Sequence, residues 1–145
     1  FSEHLQFSPI IVKPAEDREI IKSGVCYISS DSDYINVDRE SGEPRFKVHN
    51  RPFDFDHPNS FNMLLISLSE IFGDKTLGVV LTGDGIDGFE GVTEIKNVAG
   101  RVFAQEPRTC LATEMPKKVI EAGLADKVVP DFQLAREIVA ELKKS

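Results

Sequence analysis

Residues 81–88 read LTGDGIDG, a glycine-rich segment that carries two carboxylates. From Gly83 to Gly88 it has the G-x-G-x-x-G spacing that binds phosphates when backbone amides and a helix N-terminus face a nucleotide. Asp84 and Asp87 place negative charge where a pyrophosphate would bind, and no lysine or arginine lies inside the segment to offset them. The charge pattern therefore disfavours a nucleotide and leaves Asp87 as a candidate for chemistry that needs a carboxylate.

Two other interpretations of this segment stay open from the residues alone. A dinucleotide-binding fold would use an acid after the next strand to bind ribose, and Glu106 stands at such a position. Alternatively, the glycines form only a tight turn from strand to helix, and Asp87 caps the helix that follows.

The elements around the segment predict where it lies. The apolar run at residues 77–81 predicts a strand buried on both faces. Before it, apolar residues at helical spacing predict a helix that begins at Ser60 and ends at Gly73. Helix and strand then alternate to the end of the chain, which predicts an α/β fold. The expected architecture has three layers: a doubly wound, mainly parallel sheet with helices on both faces. Residues 81–88 are expected at the carboxyl end of a central strand, where such sheets place their sites.

The remaining local signals concern turns and short strands. Residues 10–12, 25–28, 34–37 and 45–49 are predicted to be extended. Gly24 and the Gly42-Glu43-Pro44 segment are predicted turns. Gly100 is expected to be the left-handed residue that ends a helix at residues 89–98.

Composition limits the classes of function. The chain has 145 residues and a formal net charge of −7, which argues against binding nucleic acid or an anionic membrane through a basic surface. No apolar run approaches the roughly 20 residues that cross a bilayer, so no membrane insertion is expected. Cys26 and Cys110 form no disulfide framework, and no zinc-ligand spacing is present. We therefore expect a cytoplasmic protein without a metal or cofactor.

The wider pattern resembles the catalytic domain of CheB, the chemotaxis receptor methylesterase. The LTG-x-G-x-DG segment is followed by an Ala-Gly turn, a glutamine after the next strand, a Met-Pro pair, I-x-x-G-x-x-D and Val-Val-Pro. In this chain these are residues 81–88, Ala99-Gly100, Gln105, Met115-Pro116, residues 120–126 and residues 128–130. Upstream, residues 24–28 are similar to the family's G-x-V-Y-I strand. The resemblance extends over nearly the whole chain and identifies residues 1–145 as part of a CheB-type domain.

The resemblance implies a Ser-His-Asp enzyme that hydrolyses γ-glutamyl methyl esters on chemoreceptors. It assigns Asp87 as the triad carboxylate. The oxyanion loop would be Gly83, Asp84 and Gly85, and the residues near the site would be Thr82, Met115 and Pro116. The implied partner is the cytoplasmic domain of a chemoreceptor or a related signalling protein, and an upstream response-regulator domain is a further candidate.

The family's serine and histidine lie upstream of the segment that this chain resembles. None of His4, His49 and His57 has the context of the triad histidine, and Ser29 and Ser30 precede a strand instead of a helix. The isolated chain is therefore expected to be inactive.

Some positions depart from the family pattern, and Asp84, where the family has methionine, matters most. A carboxylate ~5 Å from a developing oxyanion, at an effective dielectric of ~20, would cost about 3 kcal/mol, on the order of a hundredfold in rate. Arg101, Pro107 and Glu114 are further departures. Two hypotheses stay open: an esterase domain whose parent chain supplies serine and histidine, and a degenerate relative that binds a partner without catalysis.

Overall fold

The computed structural model describes residues 10–29, 33–49, 60–83, 85 and 87–144. Four strands come first: β1 (Ile11–Pro14), β2 (Val25–Ile28), β3 (Tyr34–Glu40) and β4 (Glu43–His49). Helix α1 (Ser60–Phe72) follows, and then helix and strand alternate as predicted. These elements are β5 (Leu77–Val80), α2 (Phe89–Asn97), β6 (Arg101–Gln105), α3 (Glu114–Glu121), β7 (Lys127–Val129) and α4 (Leu134–Leu142). None of the helices in these ranges is long and apolar enough to span a bilayer.

The last three strands form a parallel sheet in the order β5–β6–β7. Successive residues of β6 point to opposite faces, and Val102, Phe103 and Ala104 are each 0% exposed, so both faces are covered. Val102 and Ala104 pack with apolar residues of α2 and α3. On the Phe103 face, α4 is joined to the sheet by the ion pairs Arg101–Glu141 and Lys127–Glu137. The predicted α/β architecture, with a parallel sheet between helices, is confirmed.

The sheet formed by the described residues has β5 at one side. Within this part of the chain β5 pairs with β6 alone, and the expectation that it is a central strand stays a prediction. The strand is shorter than its apolar run. Leu81 lies beyond it and is 51% exposed, because the chain already turns away from the sheet after Val80.

The first four strands form two separate pairs within the described residues. β1 and β2 are parallel, whereas β3 and β4 form an antiparallel hairpin. Ser41 and Gly42 make the hairpin turn with φ of 55° and 82°, and Glu43 and Pro44, predicted as part of the turn, belong to β4. The hairpin packs against one side of α1 through a cluster comprising Ile35, Val37 and Phe46 on the hairpin and Leu64, Leu68 and Ile71 on α1. On its other side α1 packs against α2.

A second correction concerns the end of α2. Ala99, with φ 64°, is the left-handed residue there, one position before the predicted Gly100. Gly100 is needed for a different reason. A Cβ at that position would lie 2.7 Å from Cγ2 of Ile95 and 2.8 Å from the carbonyl oxygen of Thr76. The glycine therefore allows α2 to approach the start of β5.

Candidate functional site

The glycine-rich segment leaves the carboxyl end of β5 and leads into α2, as predicted. Thr82, Gly83, Gly85, Asp87 and Gly88 are described, whereas Asp84 and Ile86 lie outside the described residues. Gly88 has φ 108°, and a Cβ there would lie 2.5 Å from Cδ2 of Phe61. Both its backbone angle and its contact with α1 require a glycine. We call residues 82–88 the site loop.

The carboxylate of Asp87 binds the start of α1. Its Oδ2 accepts a hydrogen bond from the amide of Phe61 at 3.1 Å, and its Oδ1 accepts one from the amide of Asn62 at 2.9 Å. The interpretation in which Asp87 caps its own helix, α2, is wrong, because the side chain turns back to the neighbouring helix. A carboxylate can accept about four hydrogen bonds, so two backbone donors leave capacity for a further donor.

Asn62 makes the reciprocal contact. Its Oδ1 accepts hydrogen bonds from the amides of Gly88 and Gly91, both at 2.9 Å, which are orphan donors at the start of α2. Asp87 therefore caps α1 while Asn62 caps α2, and we call this arrangement the crossed caps. Sequence reasoning missed Asn62, because cap signals are local and these bonds join residues 25 to 29 positions apart. The available signal was a polar residue among the buried positions of an apolar helix.

The other side of the site loop is held by the chain that follows β6. The amide of Thr82 donates to Oε1 of Gln105 at 2.9 Å, and Nε2 of Gln105 donates to the carbonyl of Thr109 at 2.9 Å. Oγ1 of Thr82 donates to the carbonyl of Ala112 at 3.1 Å and accepts from its amide at 2.8 Å. Gln105 thus links two loops at the carboxyl edge of the sheet.

Gly83 and Met115 complete this connection. The amide of Gly83 donates to the carbonyl of Ala112 at 2.9 Å, and the amide of Met115 donates to the carbonyl of Gly83 at 3.2 Å. Met115 and Pro116 are both buried in the first turn of α3. The structure therefore brings Thr82 and Met115 against the site loop, and the roles that the resemblance gives them stay predictions.

A cavity of ≈ 300 Å³ opens beside Asp87. Ser60, Phe61 and Leu64 of α1 form one wall, and residues from the end of β2 and the start of β3 form the other. Its described lining residues include two carboxylates and two hydroxyls but no basic group; they are Ser29, Asp33, Ile35, Ser60, Phe61, Leu64 and Asp87. Among the described residues no cluster of histidine, cysteine, aspartate or glutamate is arranged to hold a metal ion.

The histidine that a triad would need is not found at this cavity within the described ranges. His49 lies at the end of β4, where its Nε2 is 3.1 Å from Oδ1 of Asn36, and it lines a different cavity with Asp17 and Arg18. His4, His57 and Ser30 lie outside the described residues. Ser29, by contrast, lies in the wall of the Asp87 cavity, although the sequence offered no helix after it.

The departures from the family pattern fall at different distances from the site loop. Arg101 begins β6, at the opposite edge of the sheet, and its Nε is 2.9 Å from a carboxylate oxygen of Glu141. Glu114 is exposed in the first turn of α3, beside Met115. Pro107 opens a short 3-10 turn after β6. Arg101 therefore lies at the amino end of β6, whereas the site loop meets the carboxyl end of that strand through Gln105.

Residues 1–138 match the family model described as CheB methylesterase. The chain belongs to the CheB methylesterase family. The protein-glutamate methylesterase/protein-glutamine glutaminase 2 of Nitratidesulfovibrio vulgaris is 37% identical over 135 residues, which is 93% of this chain and 37% of that protein. The corresponding protein of Pyrococcus horikoshii is 33% identical over 132 residues, 91% of this chain and 36% of that protein.

A solved CheB structure agrees with this assignment. The Thermotoga maritima CheB methylesterase catalytic domain superposes with a TM-score of 0.78 and 31% sequence identity, over 88% of this chain and 67% of that chain. The resemblance stated from the motifs is thereby confirmed. Against the two sequence relatives, the chain spans little more than a third of their length.

Proposed function

We propose that this chain is the carboxylate-bearing part of a protein-glutamate methylesterase, and that residues 1–145 belong to a larger catalytic domain. The observation that carries the proposal is the setting of Asp87. Two amides of α1 hold its carboxylate on one side, and a cavity of ≈ 300 Å³ lies beside it. In a Ser-His-Asp enzyme a carboxylate held in this way orients the histidine and stabilises the imidazolium that forms in the transition state.

The proposed reaction is acyl transfer in two steps. A serine hydroxyl attacks the carbonyl carbon of a γ-glutamyl methyl ester, the histidine takes the proton of the hydroxyl, and methanol leaves. Water then hydrolyses the acyl-enzyme and releases the glutamate side chain and the free serine. The name of the relatives includes protein-glutamine glutaminase, so we extend the proposal to glutamine amides, with ammonia as the leaving group.

The site loop would stabilise the oxyanion in both steps. The amide of Gly83 is already bonded to the carbonyl of Ala112. We therefore assign the oxyanion contact to the amides of Asp84 and Gly85 and give Gly83 the role of anchoring the loop. The proposed substrate is the methylated cytoplasmic domain of a chemoreceptor.

The test is methanol release from a methylated receptor fragment by the full-length protein as its gene encodes it. We expect Asp87→Asn to lower kcat by about 10³–10⁴-fold, because an amide favours the wrong histidine tautomer. The matched control is Asp74→Asn, the same change at an exposed carboxylate before the amino end of β5, and it should leave kcat unchanged. Hydrolysis at the unaltered rate by Asp87→Asn would refute the assignment, as would a full-length protein without activity.

A second candidate function is partner binding without catalysis, and Asp84 favours it. A carboxylate in the oxyanion loop opposes the charge that develops there. Asp84→Met distinguishes the candidates: in an enzyme slowed by this charge, the variant should hydrolyse the ester up to about a hundredfold faster. In a binding domain it should remain inactive while the receptor fragment still binds. In either case residues 1–145 alone are expected to release no methanol.

A further inference from the structure

We propose that Asn62 is a positioning residue for Asp87, a role that rests on the proposed esterase function. Asn62 contacts the carboxylate and the next peptide unit at the same time. The backbone amide of Asn62 donates to Oδ1 of Asp87 at 2.9 Å, and the side-chain Oδ1 of Asn62 accepts from the backbone amide of Gly88 at 2.9 Å. The two bonds close a ring through the side chain and carbonyl of Asp87. The carboxylate cannot rotate away from α1 unless one of these bonds breaks.

Burial makes this ring hard to replace by water. Asn62 is 4% exposed, and its side-chain oxygen bonds the amides of both Gly88 and Gly91. A buried amide that loses its acceptor cannot form a hydrogen bond to water in its place. The ring is therefore more rigid than an exposed cap would be, and rigidity of the carboxylate is what a triad requires of its third member.

Close packing of α1 against α2 holds the same geometry. A Cβ at Gly91 would lie 2.5 Å from Cβ of Leu65, and one at Gly88 would lie 2.5 Å from the ring of Phe61. A side chain at either glycine would separate the two helix starts and lengthen the bonds of the crossed caps. The two glycines and Asn62 thus act together, while only Asp87 would touch the histidine.

Two substitutions separate the shape of Asn62 from its role as a hydrogen-bond acceptor. Asn62→Leu approximates the volume but removes the acceptor for Gly88 and Gly91. Asn62→Asp keeps an oxygen in that place, and an aspartate is a good cap at a helix start. We expect the leucine variant to lose the positioning effect and the aspartate variant to retain it.

The first test measures kcat and KM of the full-length protein on the methylated receptor fragment, at a temperature where every variant is folded. Asn62→Leu should lower kcat tenfold to a hundredfold (on the order of the loss for a misplaced group) with KM within about twofold. Asn62→Asp should stay within about tenfold of the unaltered kcat. Met63→Ala is the control for lost stability, since Met63 is the next buried residue of α1 and is absent from the crossed caps. An equal loss of kcat in Met63→Ala, or none in Asn62→Leu, would overturn the proposal.

The second test does not need catalysis. Hydrogen exchange of the Gly88 and Gly91 amides, measured in the full-length protein, should accelerate at least about tenfold in Asn62→Leu and change little in Asn62→Asp or Met63→Ala. If the protein proves inactive while exchange follows this pattern, the proposed function fails and the ring around Asp87 stands. If exchange at Gly88 is unchanged in Asn62→Leu, the positioning role is wrong whatever the activity.

Discussion

The parallel sheet β5–β6–β7 and the strand pairs before α1 are built differently. In β6 every residue after Arg101 is buried, with helices on both faces. In β1 and β2 no residue is buried, and β3 and β4 bury only the residues that face α1. β6, which pairs with the strand that leads into the site loop, is therefore covered on both faces, whereas the earlier pairs supply a wall of the cavity through Ser29, Asp33 and Ile35.

The polar contacts of the two regions differ in which segments they hold. Side chains of Thr82, Gln105 and Asn62 bond backbone atoms of distant segments and hold the site loop from two sides. The hairpin also has long-range bonds, but they hold its own strands: the amide of Val37 donates to Oγ of Ser67 on α1, and the amide of Val48 donates to Oδ1 of Asp17. Nη1 of Arg45 donates to the carbonyl of Arg18. In the proposed enzyme the atoms of the site loop must stay fixed, whereas the hairpin contributes only part of the surface of the cavity. Four predictions test this division.

The largest expected effect is on the free energy of unfolding, and it is tested by an isoleucine-to-alanine substitution in each region. Ile95 in α2 is 0% exposed and Ile11 in β1 is 62% exposed. Ile95→Ala should lower the free energy of unfolding by about 2–5 kcal/mol, because it removes buried methyl groups and leaves a cavity. Ile11→Ala should change it by at most about 0.5 kcal/mol. Urea unfolding followed by circular dichroism measures both, and similar losses in the two variants would contradict the contrast between the regions.

Asp126 provides the next largest effect, and it depends on pH. Its Oδ1 lies 2.8 Å from Nζ of Lys96, and its Oδ2 accepts from the amide of Val102 at 2.7 Å. Burial raises the pKa of Asp126, but these two hydrogen bonds and the charges of Lys96 and Arg101 outweigh burial, so the pKa lies below its ordinary value. Asp126→Asn should therefore cost about 2–3 kcal/mol of unfolding free energy at neutral pH.

The sign of the pH dependence follows from the lowered pKa. The charged carboxylate stabilises the folded state fully above its unfolded pKa of about 3.9, and this contribution is lost as pH falls through the lower folded pKa. The difference between Asp126→Asn and the unaltered protein should be smaller at about pH 3 than at about pH 7. Urea titrations at the two values check this. A difference that grows in acid would mean that Asp126 is not held by its cationic neighbours.

Substitution of Gln105 tests whether the hydrogen bonds that hold the site loop affect activity as well as stability. Gln105→Leu leaves the amide of Thr82 without its acceptor, which should cost about 1–3 kcal/mol of stability. It should also reduce the proposed ester hydrolysis. Ser67→Ala, which removes the acceptor for Val37 on the hairpin, should cost a similar free energy and leave hydrolysis unchanged at temperatures where the protein is folded. Equal losses of activity would show that the hairpin positions the site as strongly as the sheet does.

The smallest effect concerns backbone strain, which we expect to be alike in both regions. Ala99 and Ser41 have φ of 64° and 55°, a conformation that disfavours a side chain. Replacing either by glycine should raise the free energy of unfolding by about 0.5–1 kcal/mol, because relief of strain exceeds the added entropy of the unfolded chain. Thermal unfolding of Ala99→Gly and Ser41→Gly measures this. A gain in one region alone would show that tertiary packing, and not local geometry, sets the strain.

Much of the fold was predictable from local pattern. The apolar run before the site loop predicted a buried strand, and the helical spacing after Ser60 predicted a helix with one buried face. The site loop was predictable as well, since glycines and an aspartate between a strand and a helix limit the backbone to a tight turn.

The features that were not predictable depend on contacts between residues that are distant in sequence. The cap of α1 comes from Asp87 and the cap of α2 from Asn62, and no i, i+3 pattern can encode such an exchange. The left-handed residue after α2 is Ala99, whereas Gly100 is required where a Cβ would meet Ile95 and Thr76. The order β5–β6–β7 likewise depends on which strands pair, and the apolar run does not specify this.

The attachment of Thr82 and Gly83 to Ala112 has a consequence for evolutionary divergence. Oγ1 of Thr82 bonds both the carbonyl and the amide of Ala112, and the amide of Gly83 donates to the same carbonyl. The side chains of the neighbours of Ala112 take no part in these bonds. Leu111, immediately before, is 100% exposed. Substitutions at Leu111 therefore change the surface beside the loop without moving Thr82 or Gly83. Proline at 112 is an exception, since the Ala112 amide is required. Members of a family built in this way can acquire new surfaces here while their chemistry stays the same.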